Sequence, residues 1–576
     1  MKELRAHSSL ATTVIALLMI LGVLTACGPT TPAEPHESVT SPAAGQGQGG
    51  AGQSSPSPSD TSSPEPSAET LSWGPTKAEA AEAKEIVQDM SVAEQAGQVL
   101  MASLPGTQRI DSAVIASTKL GGLILMETNI STAAGTKKLT AAFDAASRKA
   151  SGHDVPALIG IDQEGGLVQR YFKKETPFPT AMAYGAIYEI DPEEATELAA
   201  EGYRRLGTQL TELGVTMDFA PVADVTAGAT DPVIGARSFS GKPAAVSALV
   251  RAASTGLTQA GLLPVIKHFP GHGSVSTDSH YGLPVYDQPL EELKSTQWQP
   301  FVDAISDGIP AVMSGHLATP DAPTVPATVK KANYTTLKEE LGFEGLNVTD
   351  AMNMGAIVNQ YGSAQASVAA LKAGADLVVM PADVAQAHAG IVSAVSAKEL
   401  SAARLADAAT TVITAKLYQQ RLLADQDVED AGSDSAFIEL VFAKAITDLS
   451  GQCTPTASAS AASSVIGADA TQQQLLRTAL ADVDAEGTAT GAPGAGTVAL
   501  IGVDQLSVDA ATAVTLNSPW PLARSRAQHK YALYGRGPAA MAALAKVLSG
   551  AAPAPGKLPV TVGEYPAGTG CGTATD

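Results

Sequence analysis

Leu263-Pro264-Val265-Ile266-Lys267-His268-Phe269-Pro270-Gly271-His272-Gly273 starts as a short apolar run and ends in charged, aromatic and helix-breaking residues. A run of this length, bounded by Gly and Pro, is short for a buried helix and suits a strand covered on both faces. Taking the strand as 263–267, seven more runs of the same kind stand at 98–103, 122–126, 157–161, 215–219, 311–314, 346–349 and 376–380. Stretches with helical periodicity separate them, among them 192–213, 242–260, 290–306 and 362–373. Strands alternating with helices predict an α/β protein with a parallel sheet, and the count predicts a closed (β/α)8 TIM-type barrel rather than an open, doubly wound sheet.

The residues that close these runs add an independent argument. Asp162 follows the third run, Asp224 the fourth, Lys267-His268 end the fifth, His316 follows the sixth and Asp350 the seventh. In a barrel those ends converge on one face. A single acid there is an ordinary loop residue or the cap of the next helix, the role expected for Asp224. Five strands ending alike predict a shared polar site. His272 and His316 are expected to be hydrogen-bonded packing residues rather than proton carriers.

Composition narrows the function classes. Asp and Glu (58) outnumber Lys and Arg (36) over 576 residues, a net charge of −22. Such a surface repels phosphate backbones and offers no basic patch to anionic lipid, so no nucleic-acid partner is expected. Three cysteines exclude both a disulfide-rich scaffold and a Cys-rich metal module. An aromatic content of 4% suits a helix-rich α/β protein better than an all-β sandwich.

The chain opens with an address. Lys2 and Arg5 precede an apolar run at 10–24, short for a spanning helix, which ends in Leu24-Thr25-Ala26-Cys27. This resembles the signals of bacterial lipoproteins, in which the cysteine is lipidated after cleavage. Residues 1–26 are therefore read as a signal peptide and Cys27 as a lipidation site, anchoring the protein outside the cytoplasm on the bacterial cell membrane. Residues 27–71 are rich in Pro, Ser and Gly, cannot bury a core and read as a flexible tether. A G-x-G-x-x-G match at Gly45, Gly47 and Gly50 has no strand before it and no helix after it, so a dinucleotide reading fails.

Two segments carry chemistry: Lys267 to Gly273, continuing to Asp278-Ser279-His280, and Asn347-Val348-Thr349-Asp350. Gly and Pro break any helix after the fifth strand, so a long loop can carry an Asp and a His, two residues apart, over the barrel mouth. A carboxylate beside an imidazole fixes its tautomer and supports its cation, which makes a proton-transfer pair. A strand-end Asp with a Lys nearby stays ionised and can act as a nucleophile. His268, His272, His280 and Asp278 could instead hold a metal. A barrel metallohydrolase is also expected to carry a close His pair at its first strand, which 98–103 lacks. No metal and no cofactor is expected.

At these residues the chain resembles glycoside hydrolase family 3, and within it the NagZ-type β-N-acetylglucosaminidases. The family's K-H-F-P-G-H-G segment with its following D-S-H runs from Lys267 to His280. I-D-Q-E-G-G stands at 161–166, followed by Arg170, and G-x-R-S-F is Gly235-Ala236-Arg237-Ser238-Phe239. The resemblance implies Asp350 as catalytic nucleophile forming a glycosyl-enzyme, and His280 as general acid/base oriented by Asp278. It further implies Asp162, Arg170, Arg237, Lys267 and His268 as contacts to the hydroxyls of the terminal sugar, with retention of configuration. An imidazole in place of a second carboxylate repels anionic acceptors or muramic lactyl groups less. Leu167, Tyr171 and Met126-Glu127-Thr128-Asn129 depart from the family pattern, Leu167 and Met126–Asn129 where arginines are common, which puts aglycone contacts in doubt.

Together these readings predict a barrel over 72–427 that removes terminal β-linked GlcNAc from cell-wall saccharides, acting as a monomer. A β-glucosidase or a phosphorolytic member of the same family is the alternative, or, in another class, a solute-binding lipoprotein. Residues 428–576, after a charged linker at 425–434, are read as a reduced C-terminal α/β domain, in which the stretch 437–449 and a Ser/Ala/Thr-rich span precede a strand at 496–503 and a helix at 538–548. Cys453 and Cys571 are the thiols left after lipidation and flank this domain in an oxidising compartment, so a bridge between them is expected.

Overall fold

The computed structural model describes residues 69–105, 111–171, 177–426, 434–453, 459–488, 496–502 and 510–573. The expected signal peptide, the expected lipidation site Cys27 and the expected tether up to residue 68 lie outside the described residues. The last tether residues already belong to the folded unit. The Lys77 N–H donates to the Glu69 carbonyl (2.8 Å), Thr70 bridges to Thr76, and Trp73 is buried.

Eight parallel strands form one sheet in the order β7-β6-β5-β4-β3-β2-β1-β8. They are β1 (Leu100–Ser103), β2 (Gly122–Leu125), β3 (Leu158–Ile161), β4 (Met217–Asp218), β5 (Leu263–Phe269), β6 (Ala311–Ser314), β7 (Leu346–Thr349) and β8 (Val378–Val379). A parallel bridge from Val348 to Leu377 joins the two ends of that order into a ring. Every residue of β2, β3, β5 and β6 is buried, as strands between a packed interior and a shell of helices must be. Gly160 shows how tight the interior is: a Cβ there would lie 2.9 Å from the Phe219 ring.

The helices follow their sequence signals. Asp191 caps the helix Pro192–Thr211, accepting from the N–H groups of Glu193 and Glu194 at 3.1 Å, with Pro192 at its start. Its Ala195, Ala199, Tyr203, Leu206 and Leu210 form the buried face. Three expectations need adjusting. The stretch 98–103 is strand only from Leu100, because Ser91 and Glu94 form a capping box that starts the helix Val92–Gln98. The stretch 290–306 is two helices, Leu290–Thr296 and Gln299–Ser306, since Pro300 fits a first turn but not a helix interior. The strand expected at 263–267 runs on to Phe269, which pairs with Ser314; beyond the barrel, the helix Asp434–Ala445 is followed by a strand at Thr447–Asp448.

That strand, β9 (Thr447–Asp448), edges a second sheet with β10 (Ser464–Gly467), β11 (Thr497–Ile501), β12 (Thr512–Thr515) and β13 (His529–Ala532). The order is β10-β11-β12-β13-β9, parallel except for β9. The helices Asp434–Ala445, Ala470–Glu486 and Pro538–Leu548 accompany it. Cys453 and Cys571 form a disulfide that closes a 118-residue separation around this sheet. The barrel meets this part through backbone carbonyls. Thr180 N–H and Oγ1 donate to Tyr534 O (2.9 and 3.0 Å), and Ser240 Oγ donates to Pro559 O (2.9 Å).

Candidate active site

A cavity of about 380 Å³ opens among the segments that follow the barrel strands. Its polar wall begins with Asp162, just past β3. Lys267, on β5, places Nζ 2.8 Å from Asp162 Oδ1 and 2.7 Å from Glu164 Oε1. Arg237 forks onto Glu164, with Nε and Nη2 each at 2.8 Å from one carboxylate oxygen. Arg170 approaches Asp162 at 3.9 Å. Gln163 sets the Arg170 loop: its Oε1 accepts from the N–H groups of Arg170 (2.7 Å) and Tyr171 (3.1 Å), and its Nε2 donates to Tyr171 O. Deeper still lies Asp218, which accepts from Gln163 N–H at 2.9 Å. Burial, reinforced by the negative charges of Asp162 and Glu164, pushes its carboxyl well above the usual range. The wall thus combines fixed cations with ionised acceptors, a surface of alternating donors and acceptors suited to vicinal hydroxyls.

Asp224 does not cap a helix. The next long helix begins only at Pro243, and the chain after β4 runs on beside β5, with Ala223 N–H donating to Lys267 O (2.7 Å). This turns the Asp224 carboxylate inward, fully buried. Oδ1 accepts from the backbone N–H groups of His268 (3.1 Å) and His272 (2.5 Å), and Oδ2 accepts from His268 Nδ1 (2.7 Å). One side chain therefore folds the K-H-F-P-G-H-G loop and orients its first imidazole, leaving His268 Nε2 for the cavity. Burial alone would raise its carboxyl, but the His268 and His272 contacts hold it below the ordinary value.

Asp350 follows β7 and lines the same cavity, 9% exposed. Burial works to raise its pKa, while the imidazoles of His316 and His268, the Ala351 N–H at 2.7 Å and the Lys267 ammonium outweigh it and bring it down to about 2. It is an anion at any physiological pH. His316 braces the turn behind it, with Nε2 2.9 Å from Ala351 O and Nδ1 2.6 Å from Thr328 Oγ1.

His280 stands on the loop after β5, its side chain 62% exposed. Nδ1 lies 2.7 Å from Asp278 Oδ1, which also accepts the His280 backbone N–H at 2.9 Å. A carboxylate can only accept, so Nδ1 carries the proton and Nε2 is left to exchange one with a ligand. His272 is buried, with Nε2 3.0 Å from Ser279 Oγ, and burial lowers its pKa to about 4, so it is neutral.

Asp162, Arg170, Arg237, Lys267, His268, His280 and Asp350 all line this one cavity, and Asp278 stands beside His280. Sequence reasoning passed over Glu164 and Asp218. Glu164 was within reach, since it lies in the same motif as Asp162. Four methionines, Met126, Met313, Met354 and Met380, also line the cavity, with Val168, Val233 and Ile234. Among the described residues no three His, Cys, Asp or Glu side chains converge as metal ligands.

A model of the glycosyl hydrolase family 3 N-terminal domain matches residues 91–415. The chain is 34% identical over 285 residues to "Beta-hexosaminidase A" of Pseudoalteromonas piscicida, covering 47% of each protein, so it spans about half the length of that relative. It is 36% identical over 262 residues to a beta-hexosaminidase of Xylella fastidiosa (strain M12), covering 45% of this chain and 76% of the other. Among solved structures, a glycoside hydrolase family 3 beta-N-acetylglucosaminidase from Paenibacillus sp. str. FPU-7 superposes with a TM-score of 0.71 at 27% identity, over 82% of this chain and 98% of that one.

Proposed function

The chain belongs to glycosyl hydrolase family 3, and from that membership we propose that it is a retaining exo-β-N-acetylglucosaminidase, acting as a monomer on GlcNAc-terminated cell-wall saccharides. The observation that carries this reading is the mixed lining of the cavity. A buried, ionised Asp350 and an Asp278-held His280 share it with a set of charged hydrogen-bonding groups and with four methionines. Hydroxyls suit the charged groups and the methyl of an acetamido group suits the methionines. The relatives' names, beta-hexosaminidase and beta-N-acetylglucosaminidase, support the same substrate class.

The chemistry follows from protonation states. Asp350 attacks the anomeric carbon as the glycosidic C–O bond breaks, and His280, steadied by Asp278, gives its Nε2 proton to the departing oxygen. The neutral Nε2 then takes a proton from water, whose oxygen displaces Asp350 from the anomeric carbon and restores both groups. Two inversions give net retention. Lys267, Arg237, Arg170, Asp162 and His268 hold the sugar while this happens. The test is hydrolysis of matched chromogenic β-GlcNAc and β-glucose glycosides, with and without phosphate, reading the anomer first released. Preference for the glucoside, a requirement for phosphate, or release of the α-anomer would overturn the reading.

The N-terminal pattern ending at Cys27 supports lipid anchoring on the outer side of a bacterial membrane. Among the described residues no helix is long and apolar enough to cross a membrane. Cys27→Ala is expected to abolish lipid labelling and membrane partitioning, and unchanged partitioning would rule the anchor out.

A further inference from the structure

The loop that carries His280 does not rest on its own strand. It leaves β5 at Phe269 and touches down on the segment that follows Asp350, and the point of contact is Gly355. The Gly355 N–H donates to the His280 carbonyl (3.0 Å) and the Ala356 N–H to the Ser279 carbonyl (3.1 Å). Asn359 Nδ2 donates to the Tyr281 carbonyl (3.3 Å). A Cβ at position 355 would lie 2.7 Å from His280 O and 2.8 Å from Tyr281 C and O. These are backbone atoms and cannot rotate aside. Gly355 is not in the left-handed region, so its backbone conformation is open to any residue. What the missing side chain permits here is the close approach of two chain segments.

The His280 ring has little else to hold it. It is mostly exposed, and its ring contact is the Nδ1 bond to Asp278, a residue of the same loop. Its position relative to Asp350 is therefore inherited from the backbone of the loop. Two further braces hold the loop elsewhere: His272 to Ser279 ties it to its own base, and at its far end the backbone at 284–286 pairs with Ala318 after β6. Only the contacts at 355, 356 and 359 tie it to the Asp350 side of the cavity among the bonds described. Nucleophile and acid must act on two ends of one breaking bond, and misplacement of either by about 1 Å costs on the order of a hundredfold in rate.

We propose that Gly355 is a positioning residue for proton transfer, its bare backbone docking the His280 loop against the Asp350 segment so that acid and nucleophile are held in one frame. The proposal rests on the roles given above to Asp350 and His280. In the full-length protein, Gly355→Ala introduces no backbone strain of its own and pushes the His280 and Tyr281 backbone away.

The test is kcat/KM for Gly355→Ala and His280→Ala across aryl β-N-acetylglucosaminides of graded leaving-group acidity. With the poorest leaving group, which needs the proton, Gly355→Ala is expected to lose roughly 30- to 100-fold. With a dinitrophenyl leaving group, which does not, the loss is expected to stay below about threefold. Added azide, which needs no base, is expected to restore turnover of the glycosyl-enzyme. An equal loss across the series, or wild-type rates throughout, overturns the docking role. If His280→Ala itself shows no leaving-group dependence, the assignment of the acid fails instead. Should Gly355→Ala not fold, Asn359→Ala decides: it removes one of the three contacts and is expected to show the same selectivity at about two- to fivefold. Absence of selectivity in that variant overturns the proposal.

Discussion

Arg237 meets Glu164 fork to fork, two parallel bonds of 2.8 Å, and Lys267 adds a third contact of 2.7 Å to the same carboxylate. Glu164 and Lys267 are almost completely buried. Burial alone would raise the carboxyl, but the two cations outweigh it and hold Glu164 far below the usual range. Such a cluster adds little net stability, because desolvation offsets attraction, yet it is costly to break from one side.

Glu164→Ala leaves Arg237 and Lys267 facing each other without a shared counter-ion. The expected outcome is a loss of about 3–5 kcal/mol in stability, together with a raised KM as both cations shift off the sugar. Denaturant unfolding and Michaelis kinetics on the same preparation check it. A variant as stable as wild type with unchanged KM would mean the cluster is neither a structural nor a binding unit.

Asp350→Ala and Asp350→Asn are expected to lower kcat by at least about a thousandfold, as removal of a covalent nucleophile does, with a modest fall in melting temperature. The site favours the Asp350 charge over its neutral form, so removing that charge gives up part of the folded state's stability at neutral pH. Because its pKa is near 2, no loss of activity above about pH 4 stems from Asp350 itself. Residual activity within tenfold of wild type would move the nucleophile to another side chain.

His272 links a pKa to stability. Burial lowers it to about 4 in the folded protein, against an ordinary 6.5. Between those values the unfolded chain carries the proton and the native state does not, so stability falls as pH drops from about 6.5 toward 4 and stops falling below that. The full contribution is on the order of 3 kcal/mol. Other groups titrate in the same window, with Asp218 acting in the opposite sense, so the readout is the difference between wild type and His272→Gln measured from pH 7 to 4.5. Parallel curves would show that His272 titrates normally and is not sealed in the loop.

The barrel was legible because parallel strands covered on both faces read as unbroken apolar runs; seven strands lie within the expected stretches and β5 outruns its own by two residues, to Phe269. The helix Val92–Gln98 was missed because its capping box sits directly against the first strand. Ser464–Gly467 and Ala470–Glu486 were missed because alanines and glutamines dilute the pattern, and Leu476, Leu480 and Val483 alone mark the buried face. In the site, motif residues could be named but not their arrangement. Asp224 looked like a cap because an acid after a strand commonly is one. Only the return of the chain along β5 shows that it faces two histidines instead. Gly355 had no local signal at all, since its role depends on a loop far away in sequence.

The Cys453–Cys571 bridge closes around the second sheet, and its ends lie beside the segment that reaches the barrel. Cys571 N–H donates to Gly556 O and Ala554 N–H to Cys453 O. From there Lys557 N–H donates to Ala186 O, and Pro559 O receives Ser240 Oγ. Ser240 lies on the chain shortly after Arg237, so the bridge stands at the end of a continuous path to the sugar wall. Replacing both cysteines by serine is expected to destabilise the C-terminal part by about 4–5 kcal/mol in the chain-entropy model. Turnover at moderate temperature should change mainly in KM, because Arg237 is affected and Asp350 is not. Calorimetry and steady-state kinetics of the double variant decide it. A lowered kcat at unchanged KM would place the effect on the Asp350 side of the cavity, and unchanged melting would show that the sheet is held by its own core.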